Sequence, residues 1–309
     1  IFRQSIRYGV FKIIRNENPN TIITHEFGFF SFVVLFFKFF NKNKSIKWII
    51  TTDDSMDILE SMPLHRIISK RILINFIDGL VTINADTKNW HVKNFVSLKN
   101  KIFDLPILHD EKKFREKLEQ SLQISKGYLQ KYNLKQKKIV LFVGRLVEAK
   151  GVLNLVKIFN QIPNKNAVLL IVGDGALSKP IRQFISQRKE QRIFVLGRYD
   201  GLDLLAWYNI ASLFILPSKH EPFGAVVNEA LLAGIYTLCS KHAGSSCLIN
   251  EGENGMLINP SDNDHIRNSL IKCIDETELF IDSKLSVRKS LLKENFSKKM
   301  IRFYNFLNI

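Results

Sequence analysis

The stretch LPSKHEPFGAVVNEALLAGI, residues 216–235, decides how this chain folds. An apolar strand, Leu213 to Leu216, runs into Pro217 and a polar turn, and an apolar-periodic helix opens at about Ala225. In a doubly wound α/β fold such a turn lies at the carboxyl edge of the sheet, where ligands bind. Gly224 at the helix start lets backbone N–H groups approach a ligand closely, and those donors, together with the helix dipole, favour an anion. Glu221 precedes this anion site, and Glu229 lies five residues into the helix, about 7–8 Å along its axis. The two carboxylates therefore bracket a bound phosphate. A sugar nucleotide has that layout, with hydroxyls at both ends and a diphosphate between.

Three further units repeat the pattern. In KKIVLFVGRLVEAKGVLNLVKIFNQI, residues 137–162, the β run Ile139 to Val143 ends at Gly144, and Val152 to Ile162 is apolar at helical spacing. The loop between them carries Arg145, a forked donor for phosphate oxygens, and Lys150, a compact positive charge. In AVLLIVGDGALSKPIRQFI, residues 167–185, a strand ends in Gly173-Asp174-Gly175, which reads first as turn geometry. In RIFVLGRYDGLDLLAWYNIASLFILPS, residues 192–218, a strand ends in Gly197-Arg198-Tyr199, and a helix spans about Leu202 to Ala211.

Glu221 and Glu229, with Pro222-Phe223-Gly224 between them, resemble the donor-site signature of the retaining glycosyltransferases of family 4, which have the GT-B fold. The resemblance is strong from Lys137 to Pro260 and holds in outline before that. It implies two Rossmann-like doubly wound parallel-sheet domains facing a cleft. It gives Glu221 contacts to the sugar hydroxyls and Glu229 the ribose, with Phe223, Gly224, Ala225 and Val226 lining the donor site. Gly144, Arg145 and Lys150 hold the donor diphosphate and stabilise it as it leaves. Arg198 and Tyr199 fall beside the nucleobase, and packing explains Tyr199 equally well. The resemblance implies no metal and no cofactor beyond the nucleotide diphosphate sugar.

A length of 309 residues with 46% hydrophobic content suits two domains. Cys239, Cys247 and Cys273 show no ligand spacing, and their odd number without a signal peptide points to reduced thiols and a cytoplasmic setting. The net charge of +16 implies an anionic partner. Lys and Arg are spread along the chain with no nucleic-acid-binding pattern, so nucleic acid is not expected. The inner face of a bacterial membrane suits the charge better, since many glycosyltransferases act there on lipid-linked acceptors. The Phe-rich segment Phe27 to Phe40 contains Lys38 and is too short to span a bilayer. It reads as a buried helix with a few aromatics exposed, or as a face dipping into the membrane.

The amino-terminal part alternates: a helix at about Gln4 to Arg15, strand Thr21 to Thr24, the Phe-rich helix, strand Lys47 to Thr51, a helix from Pro63 to Asp78, strand Leu80 to Asn84, helix Thr87 to Lys93 and strand Phe95 to Leu98. The expected organisation is an acceptor-side domain over 1–104, a linker with a charged helix (Glu111 to Tyr132) over 105–136, and a donor domain over 137–294. A terminal helix over 295–309, which crosses back to the first domain in relatives, completes it. Position 1 is Ile, and the opening strand with its glycine-rich turn is missing, so the first domain is expected to be incomplete.

Catalysis in such a site is mostly positioning and stabilisation of developing negative charge. Arg145 and Lys150 carry it, each charge-assisted hydrogen bond worth about 1.5–3 kcal/mol. Many relatives end a first-domain strand in Thr-x-His; here Thr51-Thr52-Asp53 puts Asp53 in place of the His. Asp53 orients an acceptor hydroxyl, accepts its proton, or simply caps the next helix. His25 ranks below it, and His220 reads as a solvated loop residue. In HAGSSCLINEGENGMLINPSD, residues 242–262, Cys247 replaces a Glu common in relatives, leaving Gly244, Ser245 and Ser246 as donors to phosphate or sugar. The expected activity is transfer of a sugar, with retention, from a nucleotide diphosphate sugar to a saccharide or lipid-linked saccharide acceptor in surface-polysaccharide or lipopolysaccharide assembly. A sugar-nucleotide epimerase of the same fold and a non-catalytic nucleotide-sugar-binding module stay open as alternatives.

Overall fold

Segments that are apolar at every position, such as residues 139–143 and Ala167–Val172, form strands covered on both faces, as parallel sheets flanked by helices require. The computed structural model describes residues 9–40, 46–276 and 285–307. The chain forms two compact units, residues 1–105 and 106–309.

The first unit runs α1 (Val10–Glu17), β1 (Thr21–His25), α2 (Phe29–Phe40), β2 (Lys47–Thr51), α3 (Met56–Glu60), α4 (Leu64–Ile74), β3 (Gly79–Thr82), α5 (Ala85–Asn94) and β4 (Ile102–Asp104). Its strands form one parallel sheet in the order β1-β2-β3-β4. Trp48, Ile50, Leu73, Leu80 and Leu98 fill its core. The register pairs His25 with Thr51 and Thr51 with Val81, so the segments that follow these strands lie along one edge.

The second unit runs α6 (Glu111–Gln120), α7 (Leu122–Lys131), β5 (Lys138–Val143), α8 (Val152–Phe159), β6 (Ala167–Val172), α9 (Ser178–Arg188), β7 (Ile193–Gly197), α10 (Gly201–Ile210), β8 (Leu213–Leu216), α11 (Ala225–Leu232), β9 (Tyr236–Ser240), β10 (Gly255–Ile258), α12 (Asn263–Glu276) and α13 (Phe296–Leu307). Its parallel sheet has the order β10-β9-β8-β5-β6-β7. The chain steps outward from β5 to β7, returns beside β5 as β8, and steps outward again to β10. The order reverses between β5 and β8, and a ligand crevice forms at such a reversal.

Several elements depart from the sequence reading. The first helix is Val10–Glu17, and residues 4–8 of the expected one lie outside the described residues. Phe95 to Leu98 is not a strand. The Phe95 N–H closes α5 on the His91 carbonyl, Val96–Leu98 is a 3₁₀ turn, and the fourth strand comes later, at Ile102–Asp104. The helix expected over Glu111 to Tyr132 is two helices broken at Ser121, whose hydroxyl donates to the Leu118 carbonyl and accepts from Asn209 Nδ2. The Phe-rich helix is less buried than expected. Only Ser31, Val34 and Phe37 form its buried stripe, while Phe36 and Phe40 are 56% and 70% exposed.

Candidate active site

The crevice between β5 and β8 is built by close backbone approach. Gly151 starts α8 at φ +66°, and a Cβ there would sit 2.4 Å from the Pro217 carbonyl oxygen, so the loop after β5 presses directly on the loop after β8. The Ala149 carbonyl accepts from the backbone N–H groups of Lys219 (2.8 Å) and His220 (3.3 Å). The two loops form one surface. On it the Lys150 ammonium donates to Glu221 Oε2, an ion pair whose side chains are only 14% and 9% exposed.

A third loop seats Glu221 from below. The Gly244 N–H donates to the Glu221 carbonyl (3.1 Å), the Ser245 N–H to the Phe223 carbonyl (2.8 Å), and the Ser246 N–H to the Ala243 carbonyl (2.9 Å). The first two bonds tie the loops together and the third closes a turn within its own loop, so these backbone N–H groups are occupied, a correction to the backbone part of their reading as donors to phosphate or sugar. Phe223 is buried, as a plug under the turn. Gly224 stands at φ +90°, and a Cβ there would come within 2.8 Å of Leu216, 3.0 Å of Glu221 and 3.1 Å of Ser245. No side chain caps α11; the Val227 N–H donates to the Gly224 carbonyl (3.0 Å), which leaves the N–H groups of the half-buried Ala225 and Val226 at the positive end of the helix dipole.

Glu229, half-buried on α11, is held at both oxygens. The buried Tyr208 hydroxyl donates to Oε2 at 2.7 Å, and His109 Nε2 lies 3.2 Å from Oε1. Burial, reinforced by the Glu229 charge, raises the Tyr208 hydroxyl well above its ordinary value and keeps it a donor. Sequence reasoning missed both partners: Tyr208 sits in a largely apolar, buried helix, and His109 lies in a non-periodic connector.

Arg145 is exposed beside the half-buried Gly144, and its guanidinium has no partner among the described residues. Asp174 turns back on its own loop, accepting from the Gly175 N–H and the Ser178 hydroxyl. Arg198 is exposed at the end of the edge strand β7, whereas Tyr199 packs edge-on against Tyr128 (5.9 Å) and Trp207 (5.6 Å). Cys239 and Cys273 are buried, and burial pushes their thiols up to about 12 and about 11.

Asp53 belongs to the first unit, where it follows β2 and is half exposed, 3.8 Å from His25 Nε2. The neighbouring Glu26 was not singled out in the sequence. Its carboxylate accepts from the Thr52 hydroxyl (3.2 Å), and burial, with the Asp54 charge next, pushes it up to about 7. Asp54 is buried, which would raise it, but Lys70 at 2.6 Å outweighs burial and holds it below its ordinary value. Lys70 also meets His91 at 3.3 Å, and burial with the Lys70 charge pushes His91 down to about 4, so it is neutral at pH 7. Donor atoms of His25, Glu26 and Asp53 come within 4.8 Å of one another. The hydrogen bonds to Thr51 and Thr52 account for this grouping, which carries no metal assignment.

Residues 127–284, just over half of the chain, match the family described as glycosyl transferases group 1. Among curated proteins, the chain is similar to an uncharacterized glycosyltransferase of Methanocaldococcus jannaschii, 27% identical over 76% of this chain and 59% of that one. It is also similar to the 2-deoxystreptamine N-acetyl-D-glucosaminyltransferase of Niallia circulans, 27% identical over 58% of this chain and 46% of that one. The chain thus spans about half the length of the curated relatives it matches. Among solved structures, Anabaena HepE in complex with UDP superposes with a TM-score of 0.72 at 19% identity, over 86% of this chain and 72% of that one.

Proposed function

The chain belongs to the glycosyl transferases of group 1, and from that premise we propose that it moves a sugar, with retention, from a nucleotide diphosphate sugar to a saccharide or lipid-linked saccharide acceptor. Its fold is the GT-B type, α/β with two parallel sheets. The observation that carries the reading is the crevice of the second unit. There the Lys150–Glu221 pair and the fixed Glu229 carboxylate flank the uncapped amino terminus of α11. In this reading residues 137–294 bind the donor, and residues 1–104 bear the acceptor side.

The donor diphosphate lies on the α11 N–H groups, and Lys150 turns from Glu221 toward it while Arg145 closes from solvent. No metal is called on. Glu221 receives the sugar hydroxyls and Glu229 the ribose, with Gly144, Phe223, Gly224, Ala225 and Val226 shaping the site and Arg198 and Tyr199 beside the base. The bond from the anomeric carbon to the phosphate oxygen breaks, and the acceptor oxygen bonds that carbon on the same face. The acceptor proton passes to the departing phosphate. Negative charge grows on the diphosphate, and Arg145 and Lys150 lower the barrier by meeting it there. On the acceptor side, Asp53 orients the incoming hydroxyl. UDP bound to HepE and the N-acetylglucosaminyl transfer in the name of the Niallia circulans protein support a nucleotide-sugar donor.

The proposed setting is bacterial surface-polysaccharide assembly at the inner face of the cell membrane, in keeping with the charge of +16. No helix among the described residues is long and apolar enough to cross a membrane. The test is donor turnover followed by proton NMR across a panel of UDP-, GDP- and ADP-sugars. One α-linked donor should release nucleotide diphosphate and give an α-configured first product, with release lost in Arg145→Ala. A β-configured first product, or undiminished release in that variant, would refute the reading.

A further inference from the structure

Between α11 and the connector that precedes α6 the structure places an interaction that the donor reading does not contain. His109, in the connector before α6, reaches the carboxylate proposed to hold the ribose. Its ring nitrogen Nε2 lies 3.2 Å from Glu229 Oε1, on the side opposite the Tyr208 hydroxyl at 2.7 Å from Oε2. The connector is itself fixed to α11. The His109 backbone N–H donates to Oδ1 of the buried Asn228 (2.9 Å), the residue beside Glu229. Asp110 accepts from the Lys113 N–H at the start of α6 (3.2 Å), and Arg115 donates to the Leu232 carbonyl at the far end of α11 (3.2 Å). The imidazole packs on Phe114, ring centres 5.3 Å apart. It is thus held by its backbone, its ring face and the carboxylate.

A carboxylate has about four lone-pair sites. Tyr208 and His109 take one on each oxygen and leave one on each, which is what two adjacent ribose hydroxyls need as donors. Without either partner the carboxylate turns about its terminal bond, a broad torsion that staggering does not fix. We infer that His109 is a positioning residue for nucleotide recognition: with Tyr208 it locks the Glu229 carboxylate in the plane that accepts both ribose hydroxyls, so that the connector before α6 sets ribose selectivity. The inference rests on the donor reading above and adds to it the group that makes Glu229 selective.

Titration calorimetry with UDP, GDP and ADP and with their 2′-deoxy counterparts tests this, on the wild-type chain, Glu229→Ala, His109→Ala and His109→Gln. The Asn228 hydrogen bond uses the backbone of residue 109, so the alanine variant keeps the connector docked. The wild type should prefer the ribonucleotide by about tenfold or more. Both alanine variants should bring that ratio close to one, chiefly by weakening the ribonucleotide. His109→Gln, whose amide N–H has a similar reach, should keep the ratio to within about twofold of the wild type. A merely structural role would weaken the ribo and deoxy forms in parallel. If Glu229→Ala collapses the ratio and His109→Ala leaves it intact, the positioning role is wrong and the donor reading stands. If Glu229→Ala leaves the ratio intact, or none of the three diphosphates binds, the donor reading is wrong and the positioning role goes with it.

Discussion

Changing Lys150 to Met separates what the Lys150–Glu221 pair does for folding from what it does for the donor. Both side chains are buried, at 14% and 9% exposure, and Lys150 is the cation that neutralises Glu221. Met keeps the apolar stem and removes the charge, leaving a buried carboxylate without a counter-ion. That change ordinarily costs about 3–5 kcal/mol. The positive end of α11 lies next to Glu221 and recovers about 0.5–1 kcal/mol, so the net cost is about 3 kcal/mol. For a unit the size of residues 106–309, this lowers Tm by about 6–12 °C. Adding Glu221→Gln removes the stranded charge and leaves a buried amide lacking one hydrogen bond, worth about 1 kcal/mol. The double variant should therefore regain about 2 kcal/mol while binding nucleotide sugar no better than the single one. Thermal unfolding by circular dichroism, with calorimetric donor titration of the same samples, reads both quantities. Should Lys150→Met cost under 1 kcal/mol, or the two changes simply add, the pair is not the buried unit described above.

Two further outcomes follow from other parts of the molecule. Glu26 sits at about 7 in the folded chain against an ordinary 4.5, so its share of stability is full below pH 4.5 and lost as pH rises through 7. Glu26→Gln should then match wild type at pH 4.5 and be more stable at pH 8. The full shift corresponds to about 3 kcal/mol, and partial water access to the carboxyl reduces the expected gain to about 1–2 kcal/mol. A Tm difference that stays constant over this range speaks against the buried placement. Gly151→Ala and Gly252→Ala both put a Cβ on a residue with positive φ, +66° and +79°, but only the first meets backbone within 4 Å. The Gly252 change should cost about 1 kcal/mol and the Gly151 change about 3 kcal/mol with weaker donor binding. Equal costs in urea unfolding would mean that the two loops are not pressed together.

What the sequence announced and what it hid divide along physical lines. Strand Ile139 to Val143 and the helix opening at Ala225 were legible because local pattern and burial agree there, and the terminal helix Phe296–Leu307 was legible from its local pattern alone. Glycines at strand ends marked the crevice, since close approach needs them whatever surrounds them. The turn at Val96–Leu98 was misread as a strand because its buried Leu98 and half-strand apolar content do not distinguish a tight turn from a β run. The break at Ser121 depends on Asn209, which lies far along the chain, and no local pattern carries that contact. His109, Tyr208 and the Glu26–Asp54–Lys70–His91 network gain their meaning only from partners across the fold. How many aromatics of α2 stay exposed was hidden for the opposite reason: a helix with apolar residues on nearly every side does not say which stripe the sheet will cover.

The most direct test of the account is calorimetric titration of the chain with UDP, GDP and ADP, in parallel with Arg145→Ala and Glu229→Ala. The account predicts micromolar binding of one diphosphate, weakened about tenfold or more in both variants. A folded chain that binds none of the three, or binds one with both variants unimpaired, would contradict it.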